Sequence, residues 1–234
     1  MTAPNSLKNL LLAATAVAAT VVFTAPAAMA GVVNGSFEDP QNSPGGATGG
    51  SLPGWTGDTG TSYYFGNTTQ GDTGLVPVNG TQLAFVNNFT NNAALTHGIS
   101  QTLTDTLVGN TLYTLSAYFG WRSDVSESVG KLQLFAGGTA SGGGVVGGTL
   151  LASTNVALTQ GNFVLGSVSF SVSSSDPLIG QAISIRLGGT PVADGFAQIN
   201  FDQVTLTATA IPEPASTALL GAGLLGLGFA RRRR

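Results

Sequence analysis

Apolar and polar positions alternate with period two in several short stretches of this chain, the pattern of strands buried on one face. Between 112 and 119, one phase carries Tyr113, Leu115, Ala117 and Phe119. Between 168 and 172, the apolar phase holds Val168, Phe170 and Val172 and the other phase is all serine. Ile183, Ile185 and Leu187 alternate with Ser184 and Arg186, and Leu132, Leu134 and Ala136 share one phase after Lys131. Stretches 82–86, 99–103 and 201–206 complete the set. Asn34-Gly35 and Asn79-Gly80 between them suit the positive φ of tight turns, and 137–148 is a long glycine-rich connection. Between the two ends of the chain no stretch makes a convincing helix. Short strands at roughly regular intervals predict an all-β fold, a jelly-roll β-sandwich.

Both ends depart from this pattern. Lys8 and the amino terminus give a positive start, residues 10–23 are apolar apart from Thr15 and Thr20, and Ala28-Met29-Ala30 offers small residues to a signal peptidase. That order predicts a cleavable secretory signal over residues 1–30, cut after Ala30. Its apolar stretch is shorter than the ~20 residues of a membrane span. At the other end, Ile211-Pro212-Glu213-Pro214-Ala215-Ser216 precedes an apolar run over 217–230, followed by Arg231, Arg232, Arg233 and Arg234. Proline fixes φ and lacks an N–H, so Pro212 and Pro214 cannot continue a strand. Arginines in such number stay on the cytoplasmic side. The tail is therefore expected to insert transiently as a short helix, with the globular part outside.

Residues 31–210 remain, enough for one domain with a sizeable core. They hold three basic side chains, Arg122, Lys131 and Arg186, against ten carboxylates, a net charge of −7. A nucleic-acid partner needs a cationic footprint, and this balance excludes one; it also disfavours anionic lipid. The chain has no cysteine and one histidine, His97, which argues against disulfides, zinc and iron–sulfur chemistry. Its 34 glycines exceed the usual ~7% share and predict many turns and long loops.

The Pro-Glu-Pro motif, the glycine-rich apolar run and the terminal arginines, in that order over 211–234, closely resemble the PEP-CTERM tail of Gram-negative bacteria with exopolysaccharide. The resemblance implies recognition and processing by an exosortase-type enzyme after transient anchoring in the inner membrane, and delivery to the cell surface or beyond. A second resemblance spans the rest. Val33-Asn34-Gly35-Ser36-Phe37-Glu38, then Leu52-Pro53-Gly54-Trp55, then Ile199-Asn200-Phe201-Asp202-Gln203-Val204 follow one another as in galactose-binding-domain-like jelly rolls. Carbohydrate-binding modules of the 4/9 type and DUF642-like proteins are the members it is most similar to. In such modules a structural calcium often joins a carboxylate near the first motif to one on the last strand, and Glu38 and Asp202 hold those positions here.

Candidate chemistry is sparse. If Val204 and Leu206 face the core, period two places Asp202 on the same inward phase, and an unpartnered buried carboxylate costs several kcal/mol. Hydrogen bonds to backbone donors, a charge partner, a metal, or a bulge at Gln203 that turns Asp202 outward would each resolve this. Aromatic faces stack on sugars, which makes Tyr63, Tyr64 and Trp121 the candidate platform for a glycan; Trp55, after Pro-Gly, is expected in the core, and burial is the alternative for Trp121, which follows Phe119 on the inward phase. His97 lies in a polar, turn-like stretch, and no serine has the surroundings of a nucleophile elbow. Asp124 and Glu127 resemble a glycosidase pair only in type, since such a pair must flank a cleft, and a solvated loop explains them equally well. These observations predict a non-enzymatic, exosortase-sorted protein with a structural or adhesive matrix role. The alternative is a module that binds the exopolysaccharide itself.

Overall fold

The computed structural model describes residues 28–29, 31–59, 63–88, 97–192 and 196–212. The described chain is built of strands β1 (Ala28–Met29), β2 (Ala47–Gly49), β3 (Thr56–Gly57) and β4 (Tyr63–Thr69), a single helical turn α1 (Gln70–Thr73), then β5 (Gln82–Asn88) and β6 (His97–Thr106). It continues through β7 (Thr111–Gly120), β8 (Ser128–Ala136), β9 (Thr139–Ser141), β10 (Gly144–Val146), β11 (Thr149–Val156), β12 (Phe163–Val172), β13 (Ala182–Pro191) and β14 (Ala197–Ala210). One sheet runs β12-β7-β14-β5-β4-β2, with β1 also on β14; the second runs β11-β8-β13-β6-β3. All these pairings are antiparallel. Two antiparallel sheets with sequence-distant neighbours make the jelly-roll sandwich that the alternation predicted. β1 lies inside the stretch expected to be the leader, and it pairs with β14 through Ala28–Ala208 and Met29–Thr207.

The core lies between the sheets, on the phase the sequence marked. Tyr113, Leu115, Ala117 and Phe119 from β7 meet Leu132, Leu134 and Ala136 from β8, and all are buried. Ile183, Ile185 and Leu187 join from β13, and Ile199, Phe201, Val204 and Leu206 from β14. Phe119 and Phe201 meet edge to face, with centroids 5.3 Å apart. Trp55 is buried against Phe37 at 5.5 Å, and its indole N–H donates to the Asn34 carbonyl (3.2 Å). Fully burying each such side chain stabilises the fold by about 1.5–3 kcal/mol.

Two details differ from the sequence reading. The glycine-rich connection is a small hairpin, β9–β10, laid over the outer face of the second sheet. It hangs there through Ala140 N–H to Thr102 Oγ1 (2.8 Å) and Thr59 N–H to the Gly142 carbonyl (2.8 Å). Beneath it Arg186, on the polar phase of β13, is only 8% exposed and forks onto Asp58 (2.8 and 2.7 Å), itself 7% exposed. A side chain at Gly144 would strike this guanidinium, so the hairpin closes over the ion pair only because glycine stands there. β13 is thus buried on both faces, which an alternation of Ile with Ser and Arg does not announce.

Glu213 and Pro214 of the sorting motif, the apolar run after them and residues 1–27 of the leader lie outside the described residues. Among the described residues no helix is long and apolar enough to cross a membrane.

Candidate functional site

The outer face of the first sheet carries a patch that is neither solvated nor apolar. Across the register, Gly120, Asn200, Phe85 and Gly66 form one row on β7, β14, β5 and β4. Gln198 and Asn87 are paired in the next, beside the backbone of Tyr64. Asp202 stands opposite Tyr118. Residues 70–81 cover the patch. Leu75 is buried, and a side chain at Gly120 would run into Leu75 and Phe163, so glycine there leaves them room.

Asp202 is fully buried, but it does not face the core. The β14–β7 register shifts between Asp202 and Thr205, and Gln203 has φ +47°. One extra residue in a strand restarts the alternation. Phe201 and Val204 therefore both point inward while Asp202 points out, the bulge anticipated as one resolution of its burial. Its partners are backbone donors: Val78 and Asn79 N–H reach Oδ2 (2.6 and 2.9 Å) and Gln203 N–H reaches Oδ1 (2.6 Å). Desolvation dominates these contacts and pushes the carboxyl up to about 6, with repulsion from Glu38 adding to the rise.

Glu38 clips the other end of the same loop. Its Oε1 accepts from Thr81 and Gln82 N–H (both 2.8 Å), and Oε2 from the Thr81 hydroxyl (2.9 Å). The sequence reading placed Glu38 and Asp202 together around a calcium ion, and the fold does bring them to one loop. A divalent cation would neutralise their mutual repulsion, but the oxygens of both carboxylates already accept from backbone N–H groups and the Thr81 hydroxyl. Among the described residues no group of three or more His, Asp or Glu side chains gathers as metal ligands.

Asn87, Gln198 and Asn200 are functional candidates that sequence reasoning missed. Among the described residues Asn87 Oδ1 and Asn200 Oδ1 are buried with no hydrogen-bond partner, whereas Gln198 Oε1 accepts from Arg122 Nη1 (2.9 Å). Buried polar atoms are nearly always satisfied, so these two carbonyl oxygens on one face are available to accept a hydrogen bond. No local motif could reveal them, because register between two strands distant in sequence, β5 and β14, assembles them. Asn200 alone carried a signal, standing inside the Ile199–Val204 motif.

Arg122 also forks onto Asp124 (2.9 and 2.7 Å). Those hydrogen bonds hold the Asp124 carboxyl below its ordinary range, so it is a fixed anion, and Glu127 is exposed on the same loop. Trp121 is half-buried, its indole N–H on the Val125 carbonyl (3.1 Å). Tyr63 and Tyr64 are successive residues of β4, in register with Asn88 and Asn87. His97 is buried at the start of β6.

Against this geometry, residues 28–207 match the family model described as HpiC1 cyclase. The chain belongs to the HpiC1-like cyclase family. That membership corrects two expectations. The sandwich is not specifically a 4/9-type carbohydrate-binding module or a DUF642 domain, and the expectation of a non-enzyme is overturned, since the family is one of cyclases. No triad or cleft-flanking carboxylate pair marks a cyclase in the sequence, so the enzyme class carried no local signal.

The HpiC1-like fold recurs in solved structures. The Stig cyclase Fisc from Fischerella sp. TAU, crystallised with (3Z)-3-(1-methyl-2-pyrrolidinylidene)-3H-indole, superposes with a TM-score of 0.65 at 23% identity, over 80% of this chain and 100% of that one. A cyclase from Fischerella sp. TAU in complex with 4-(1H-indol-3-yl)butan-2-one gives 0.65 at 24% identity over the same shares. No curated protein matches the chain. Residues 210–234 match the PEP-CTERM protein-sorting motif, so this family member is an exported protein, sorted to the cell envelope or surface and processed by an exosortase.

Proposed function

We propose that this chain is an envelope-located cyclase that rearranges a neutral, partly aromatic small molecule by proton transfer on the outer face of the first sheet. Asp202 carries the reading. Among the described residues it is the carboxyl whose proton affinity lies near neutrality, and a general acid works best with its pKa near the operating pH. Protonated, Asp202 would place its hydrogen on an unsaturated carbon of the substrate, the resulting cation would close a ring, and loss of a proton back to the carboxylate would restore the acid. Mass is conserved. Phe85, Leu75 and Phe163 supply an apolar wall, and the idle Asn87 and Asn200 oxygens suit an N–H donor such as an indole. Entry requires residues 70–81 to lift from Asp202.

The test is conversion of an indole-bearing alkene to an isomer of equal mass by the purified exported protein. Asp202→Asn is expected to lower turnover about 10²–10⁴-fold, the usual share of a general acid. Turnover unchanged in that variant would remove Asp202 from the chemistry.

A second reading gives Asp202 and Glu38 a structural calcium ion in place of the proton, favoured by their mutual repulsion over one loop. The two readings part on a chelator. A melting temperature that falls with EDTA and returns with calcium assigns the pair to the ion; indifference leaves Asp202 to the proton.

A further inference from the structure

The last strand, β14, carries the chain out at one end of the sandwich. There Ala210 pairs with Thr111, and Thr111 with Val172. The β6–β7 turn (107–110), the β12–β13 connection (173–181) and the exit after β14 therefore lie together. Hydrogen bonds join them: Gly180 N–H to the Leu107 carbonyl (2.8 Å), Leu107 N–H to the Gln181 carbonyl (2.9 Å) and Ile211 N–H to the Asn110 carbonyl (2.7 Å). In sequence no linker follows, because the sorting motif itself starts at residue 210.

This end is apolar where it meets solvent. Val108, Ile179 and Ile211 are exposed, as is Leu150 at the start of β11, in register with Phe135 near the same end. Single exposed apolar residues are ordinary, but these share an end that is nearly free of charge. Residues 106–111, 137–139, 173–182 and 208–212 hold one charged side chain, Asp176, half-buried with its Oδ1 on Leu178 N–H (2.9 Å). Asp105, just inside, is also half-buried and accepts from Gly31 N–H (2.7 Å). The opposite end carries Arg122, Asp124 and Glu127 in the β7–β8 connection.

We infer that the end bearing Val108, Ile179 and Ile211 is a docking face for a neutral lipid surface, that of the membrane into which the tail inserts. The occupant follows from where the chain goes and from charge. The apolar run starts at residue 217, and residues 212–216 reach no further than about 17 Å even when fully extended. The bilayer surface is thus within reach of this end and of no other. Interfacial binding grows with buried apolar area; with two aspartates and no basic side chain here, zwitterionic headgroups suit the face and anionic ones do not. The tether raises the effective concentration of lipid, so a face too small to bind alone suffices. Asp202 pairs with Tyr118, seven residues along β7 from Thr111, or roughly 23 Å, so docking leaves that part of the sheet open. The inference does not depend on the cyclase chemistry.

The chain has no cysteine, so an introduced one takes an environment-sensitive dye at a single place. Val108→Cys, Ile179→Cys and, beside Glu127 at the far end, the exposed Val192→Cys are labelled in the exported chain with its tail intact. Each is added to phosphatidylcholine vesicles with and without nitroxide-labelled headgroups. Dyes at 108 and 179 should shift to the blue with lipid and lose intensity to the nitroxide, while the dye at 192 does neither. Hydrogen exchange of the unsubstituted chain gives a second readout: amides of 108–110 and 179–181 should slow when vesicles are added. Dyes and amides indifferent to lipid, quenching at 192 as strong as at 108, or a chain that does not float with the vesicles would each overturn the inference. So would a blue shift at 108 and 179 before lipid is added, since protein would then cover this end.

Discussion

Two carboxylates are buried over the outer faces of the two sheets, and they are held in opposite ways. Asp58 lies under the β9–β10 hairpin with both oxygens on the Arg186 guanidinium. Asp202 lies under residues 70–81 with three backbone amides and, among the described residues, no cationic side chain on it. Amides stabilise an anion with partial charges only, and desolvation outweighs them, which is why Asp202 keeps its proton to about 6. A guanidinium supplies a full charge and a matching fork. The first arrangement makes a pin. The second makes a group that can give and take a proton near neutrality.

The contrast breaks most sharply at the pin. Arg186→Met leaves Asp58 buried without its partner and should destabilise the domain by about 3–5 kcal/mol in urea unfolding. A loss under about 1 kcal/mol would mean that water reaches Asp58 and that the pair is no pin.

The Asp202 side is sharpened by pH. Its carboxyl rises from 3.8 to about 6 in the fold, so the folded chain binds that proton more tightly than the unfolded one. Its contribution is complete below about pH 3.8 and is lost as pH rises through about 6, a span worth about 3 kcal/mol. Unfolding free energies of the wild type minus those of D202N should fall by that amount across the window. A flat difference would place Asp202 in contact with water.

Smaller effects follow at the clips. Gly80 has φ +75°, and a methyl group there would press on the Glu38 carboxylate. Gly80→Ala should therefore cost about 1–3 kcal/mol and speed hydrogen exchange at Thr81 and Gln82; unchanged exchange there would mean that Glu38 does not hold the loop. Arg122→Ala removes a partly exposed ion pair and should cost no more than about 1 kcal/mol. A larger fall in stability would show that the Gln198 contact, and not Asp124, is what Arg122 serves.

Much of the fold was legible because half-buried strands write their phase directly. Leu115, Leu134, Ile185 and Leu206 all point where alternation puts them. The bulge at Gln203 was legible only as one of several resolutions, since a positive φ at one glutamine leaves no periodic trace. Arg186 reads as a solvent-facing residue because its cover, the glycine hairpin, lies about forty residues earlier. Of the site, Asp202 and Glu38 stood out by position. Asn87, Gln198 and Phe85 did not, because they acquire meaning only when β5 and β14 lie side by side.

That adjacency sets a timetable for export. β14 is the middle of the first sheet, with β7 on one side and β5 on the other, and its Val204 N–H also holds the Gly35 carbonyl (2.8 Å). A polypeptide threading through a translocon amino end first has no seam between its two half-sheets until residue 210 is through. Completion of the first sheet therefore waits for the last strand of the domain, which runs directly into the sorting motif at 210–234.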